Sequence, residues 1–248
     1  MRGLAALTLL LPLAACGGGD DDQTVTVLAA ASLTETFTGL AATFEDEHPG
    51  VEVELVFGSS TTLAEQAVDG APGDVLATAD SRAMEVAVDG GATSLEPEAF
   101  ALNELVIVTP PGNPAAVTGL GSLARSGVDW ARCVASAPCG ALAERVLDVH
   151  ASQAEPVTEE VDVRAVLARV VAGEVDAGLV YRTDALAAGN DVETVETGQA
   201  AASAIYEIST LGGSALASEF VELVGSPEGQ AVLRDAGFDP PRVIGDGR

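Results

Sequence analysis

The chain has no lysine: its 11 basic residues are all arginine and stand against 38 aspartates and glutamates, for a formal net charge of −27 over 248 residues. So acidic a polypeptide is a poor partner for nucleic acid or an anionic lipid surface, because it cannot neutralise their phosphates. The excess acid could suggest a cationic ligand, but it is scattered over expected helix faces and turns, where it reads as solvated exterior. Imidazole is nearly as scarce, with His48 in a turn and His150 at a helix end. There is no Gly-x-Ser-x-Gly elbow either, so a serine hydrolase built on a Ser-His-Asp triad has little support. Only three cysteines occur, and the Cys-x5-Cys spacing of Cys133 and Cys139 is not a zinc signature. No metal site and no cofactor are expected. Beyond the N-terminus, no segment has the length and apolarity of a transmembrane helix, and there is no internal repeat.

What is present begins with an export address. Arg2 supplies a positive start, and Leu4 to Leu13 is an apolar run too short to span a bilayer. It ends in Leu13-Ala14-Ala15-Cys16, the pattern that precedes a lipidated cysteine, followed by the hydrated stretch Gly17 to Asp22. Residues 1–15 are therefore expected to be a lipoprotein signal peptide, Cys16 the lipidated first residue and 16–23 a flexible tether, with an ordinary cleaved signal as the alternative. That places the chain outside the cytoplasm, anchored to a membrane, where disulfides persist. The gap between Cys133 and Cys139 can turn back on itself, and a disulfide is expected over two free thiols.

From Thr24 onward, short apolar strands alternate with amphipathic helices, the pattern of an α/β fold on a mainly parallel sheet. Strands are expected at Thr24 to Ala30, Val51 to Phe57, Asp74 to Ala77, Leu105 to Thr109, Cys133 to Ser136, Val157 to Val161, Ala177 to Tyr181 and Ala204 to Thr210. The helix from Leu33 to Glu47 sets Leu33, Phe37, Leu40, Ala41 and Phe44 on one face. A change of domain is expected near residue 103, with a return to the first domain before the last helices.

Several strand-to-helix junctions carry groups that could hold an anion. Ser32 and Glu35 have the S-x-x-E spacing of a capping box, and Gly58-Ser59-Ser60-Thr61-Thr62 opens the next helix. Pro138-Cys139-Gly140 and Asp162-Val163-Arg164 lie at two further helix starts, and Tyr181 closes a buried strand. The first N–H groups of a helix have no intrahelical partner and sit in positive potential, so an anion can be held there without a cationic side chain. Taken singly, each serine reads as a helix cap and Tyr181 as a core residue.

Taken together, these junctions carry a resemblance. Ala29-Ala30-Ala31-Ser32-Leu33, Phe57-Gly58-Ser59-Ser60-Thr61-Thr62-Leu63, Gly70-Ala71-Pro72-Gly73-Asp74-Val75, Ala79-Asp80, Asp162-Val163-Arg164 and Gly178-Leu179-Val180-Tyr181 resemble, in order and spacing, the periplasmic molybdate-binding proteins of ABC transporters. The resemblance implies a type II periplasmic-binding-protein fold, two α/β domains joined by a hinge with the ligand in the interdomain cleft. Domain I would be 24–103 plus 206–241 and domain II 104–205. It implies that the oxyanion is held by the hydroxyls of Ser32 and Ser60, the backbone N–H groups of Cys139 and Val163, and the hydroxyl of Tyr181. A one-residue slip would put Ser59 or Thr61 in place of Ser60. Cys139 departs from the family pattern, which has a small residue before the glycine. It further implies capture of molybdate, and tungstate with it, for delivery to an ABC permease; a receptor that hinges and docks is most simply a monomer. Molybdenum or tungsten would be present only as the bound oxyanion. Sulfate or another small oxyanion is the alternative ligand within the same fold.

A dianion leaving water must be given several well-aimed donors, which hydroxyls and N–H groups supply. A protonated oxyanion such as hydrogen phosphate brings a donor of its own, and a site built mainly of donors disfavours it.

Overall fold

The computed structural model describes residues 23–198 and 203–241. The expected signal peptide and Cys16 lie outside the described residues.

The first half of the chain lays down parallel strands joined by helices. They are β1 (Thr24–Ala30), α1 (Thr34–Glu47), β2 (Glu52–Gly58), α2 (Ser60–Val68), β3 (Val75–Thr78) and α3 (Ser81–Asp89). β1 pairs in parallel with both β2 and β3. The face of α1 expected from its spacing is the buried one: Phe37, Leu40, Ala41 and Phe44 pack inward. A second parallel set follows β4 (Glu98–Thr109). It consists of β5 (Trp130–Cys133), α4 (Pro138–His150), β6 (Thr158–Glu160), α5 (Val163–Val171), β7 (Ala177–Tyr181) and α6 (Arg182–Ala188). β5 pairs in parallel with β6 and β7. The chain ends through β8 (Glu193–Val195), β9 (Ser203–Thr210), α7 (Ala215–Gly225) and α8 (Pro227–Asp235).

Two antiparallel strands join the parallel sets, giving the order β2-β1-β3-β9-β4-β7-β5-β6 with β8 also on β4. β4 changes partner along its length. Glu98 to Glu104 pairs with β9, whereas Leu105 to Val108 pairs with β7. From the sequence this strand is expected to begin at Leu105, where a continuous apolar run starts. The earlier half mixes glutamate and asparagine among its apolar residues and becomes a strand because β9, a hundred residues away, supplies its ladder. β8, three residues long, was missed for the same reason. Aromatic rings fill the space behind β4 and β9: Phe37, Phe100, Phe220, Tyr206 and Phe238 meet edge to face or tilted, with centroids 5.2 to 6.1 Å apart.

Candidate functional site

Each parallel strand delivers its carboxyl end to one place, as the topology of open α/β sheets requires. Ser32 follows β1, Ser60 follows β2, Cys139 follows β5, Val163 follows β6, and Tyr181 ends β7. All five line a single cavity of about 20 Å³, with Ala30, Ala31, Gly58, Ser59, Ala79, Pro138 and Asp162 completing the wall. Space for only a few atoms is left, and no arginine is among the residues that line it.

Ser60 is the first residue of α2 and is 1 % exposed. Its Oγ accepts the N–H of Ala79 at 3.0 Å, so its own proton is left to give. Its neighbours are occupied differently. Ser59 is the N-cap but makes no side-chain cap bond, and Thr61 Oγ1 donates to the carbonyl of Ser136 at 2.8 Å. That bond links α2 to the loop before α4.

Ser32 corrects the sequence reading. The expected capping box with Glu35 does not form, because a short 3-10 turn, Ala31–Leu33, moves the start of α1 to Thr34 and makes Leu33 the N-cap. Ser32 Oγ instead lies 2.7 Å from Tyr206 Oη, and Glu35 pairs with Arg164 at 2.6 Å.

The remaining donors come from helix starts and one ring. α4 begins at Pro138, and since proline has no N–H the first donor offered is that of Cys139. Cys139 is bonded to Cys133 by a disulfide with Cα atoms 5.8 Å apart, which closes the loop between β5 and α4. Such a short loop contributes about 2 kcal/mol through the unfolded chain. At α5, Asp162 Oδ1 accepts the N–H of Ala165 at 3.0 Å, leaving the N–H groups of Val163 and Arg164 outside the cap. Tyr181 is 1 % exposed, and its Oη has no hydrogen-bond partner among the described residues. Burial holds the Tyr181 phenol well above its usual range, so it stays a donor.

Three residues around the site were not singled out from sequence: Asn103, Asp184 and Tyr206. Only the position of Tyr206 in a strand-like run was visible. Asp184 Oδ2 accepts the N–H of Tyr181 at 3.2 Å and is fully buried. Burial pushes its carboxyl up to about 7, against the pull of Arg164. The folded protein therefore keeps a proton that the unfolded chain releases from about pH 4. Stability should fall as pH rises from there to about 7 and level off above. Urea unfolding across this range should show the slope in wild type and a flatter profile in Asp184→Asn. An equal slope in the variant would contradict the assignment.

Among the described residues, no cluster of histidine, cysteine and carboxylates is arranged to hold a metal ion, and no helix is long and apolar enough to cross a membrane.

Two parallel-stranded sets joined by antiparallel strands, with helix starts facing one cavity, define the type II periplasmic-binding fold. The family model for bacterial extracellular solute-binding proteins matches residues 25–239. The chain belongs to that family, whose members are extracytoplasmic binding proteins of transport and not enzymes. It is 37 % identical over 229 residues to the molybdate-binding protein ModA of Mycobacterium tuberculosis, covering 91 % of this chain and 88 % of that one. In three dimensions it is similar to the periplasmic molybdate-binding protein of Azotobacter vinelandii, with a TM-score of 0.76 and 23 % identity over 88 % of this chain and all of the other. It is equally similar to the sulfate-binding protein SubI of Mycobacterium tuberculosis, with a TM-score of 0.77 and 17 % identity over 88 % of this chain and 87 % of that one. The fold alone thus does not choose the anion.

Proposed function

We propose that this protein captures molybdate, and tungstate with it, outside the cytoplasmic membrane and delivers it to an ABC permease. The observation that carries the reading is the convergence of Ser32, Ser60, Cys139, Val163 and Tyr181 on one small cavity that no cationic side chain lines. Such a wall suits a fully deprotonated dianion: partial positive charge at three helix starts and neutral hydroxyl donors replace its hydration. The 37 % identity to a molybdate-binding protein favours molybdate over sulfate within a fold that serves both.

Ser32 and Ser60 come from one parallel set and Cys139, Val163 and Tyr181 from the other, so the anion grips both only when they are together. Lobes at 24–103 plus 206–241 and at 104–205 then close about a hinge in β4 and the return to β9, and closure is the form a permease reads. The Arg164–Glu35 pair and the Thr61–Ser136 bond join the same two sets. The protein works as a monomer tethered through lipid on Cys16.

Ser32→Ala and Ser60→Ala should each weaken molybdate binding by about 1.5 kcal/mol, roughly tenfold, in isothermal titration. Each loss is at the low end for a charged hydrogen bond because neighbouring N–H groups remain. Unchanged affinity in both variants would refute the site.

A further inference from the structure

Behind Ser32 runs a buried chain of hydrogen bonds whose direction the backbone fixes. The N–H of Glu104 donates to Asn103 Oδ1 at 2.9 Å, and because a backbone N–H can only donate, the oxygen of that amide must face it. The amide nitrogen then faces the other way. It donates to Thr183 Oγ1 at 2.9 Å and to Tyr206 Oη at 3.4 Å. An amide nitrogen cannot accept, so Ser32 Oγ, 2.7 Å away, is the one bonded partner among the described residues that can take the Tyr206 proton. Ser32, having accepted, has one proton left, and the cavity is the direction open to it. The four side chains in this chain are all buried.

We infer that Asn103 and Tyr206 are positioning residues that fix Ser32 as an obligate donor and so give the site its preference for fully deprotonated oxyanions over protonated ones. The inference rests on the oxyanion reading of the cavity and deepens it. A serine free to rotate can present a lone pair and accept the proton of hydrogen phosphate. A serine already receiving the Tyr206 proton keeps a second lone pair, but turning it to the cavity would leave the serine's own O–H buried without a partner, since Ser32 Oγ bonds only to Tyr206 among the described residues. Ser60 is held in the same sense by the N–H of Ala79, which no side-chain substitution removes, so the adjustable half of the selectivity lies with Ser32.

Two substitutions act on the relay in different ways. Tyr206→Phe keeps the ring, which packs against Phe100, Tyr181 and Phe238, and removes only the hydroxyl, leaving Ser32 free to turn. Asn103→Asp replaces the donating amide by an accepting carboxylate. Tyr206 then gives its proton to the new carboxylate and receives that of Ser32, which shows the cavity a lone pair.

The test is isothermal titration of wild type and both variants with molybdate and with inorganic phosphate at neutral pH, with near-ultraviolet circular dichroism to establish native packing. Molybdate affinity should fall about tenfold in Tyr206→Phe and about a hundredfold in Asn103→Asp. Phosphate affinity should hold or rise, so that the ratio of the two shifts at least about tenfold. A merely structural role would weaken both anions alike. An unchanged ratio in a natively packed variant overturns the relay, and Asn103→Asp decides the matter if Tyr206→Phe does not fold. Failure of the wild type to bind molybdate would overturn instead the reading of the cavity on which the relay depends.

Discussion

Tyr181→Phe should leave the ligand-free protein about as stable as wild type while lowering its affinity for molybdate by about 3 kcal/mol, more than a hundredfold. The two effects separate because the hydroxyl has no partner among the described residues. Removing it breaks no bond to the described residues and takes away a buried polar group that has no partner among them. The ring itself, which meets Tyr206 edge to face at 5.8 Å, stays in place. In the complex proposed, the same buried hydroxyl would donate to a dianion, so its loss falls at the upper end for a charged hydrogen bond. Urea unfolding without ligand and titration with molybdate measure the two quantities. A loss of several kcal/mol of stability would mean that Tyr181 is a core residue, and wild-type affinity would remove it from the site.

Gly140→Ala should destabilise the protein by more than about 3 kcal/mol and spoil binding with it. Gly140 is the third residue of α4, and a Cβ there would lie 2.0 Å from the carbonyl oxygen of Val134 and 2.6 Å from that of Cys133. Both neighbours are backbone, and the disulfide between Cys133 and Cys139 ties the loop down on either side, so neither can give way cheaply. The loop would have to lift from the helix start and carry the N–H of Cys139 away from the cavity. Gly39→Ala is the matched control. Gly39 is exposed in the middle of α1 with nothing near the added carbon, and the change there should stabilise by about 0.5 to 1 kcal/mol. Denaturant midpoints of the two variants should therefore move in opposite directions. A Gly140→Ala midpoint equal to wild type would contradict the packing described.

Much of this was legible in the order of residues, because strands buried on both faces are continuous apolar runs and the helices between them carry one apolar stripe. The face of α1 could be read from its spacing. So could the strand ends where small and hydroxyl residues precede a helix start; the family resemblance then selected Ser32, Ser60, Cys139, Val163 and Tyr181 among them, and these five line one cavity. What was not legible depends on partners distant in sequence. Ser32 looked like a cap because Glu35 stands three residues on, yet Arg164, 129 residues away, takes that glutamate, and Tyr206, 174 away, takes the serine. Asn103 stood out only as the neighbourhood of an expected change of domain. Its role follows from the N–H of its neighbour and from β9 lying alongside. The first half of β4 was hidden for the same reason, since its ladder is made by a strand the local pattern cannot see.

The measurement that bears most directly on the central claim is isothermal titration of the chain from Gln23 onward with molybdate, then tungstate, sulfate and phosphate. The account predicts tight one-to-one binding of molybdate and tungstate, with sulfate and phosphate far weaker. No heat and no thermal shift with molybdate, or sulfate bound as tightly, would contradict it.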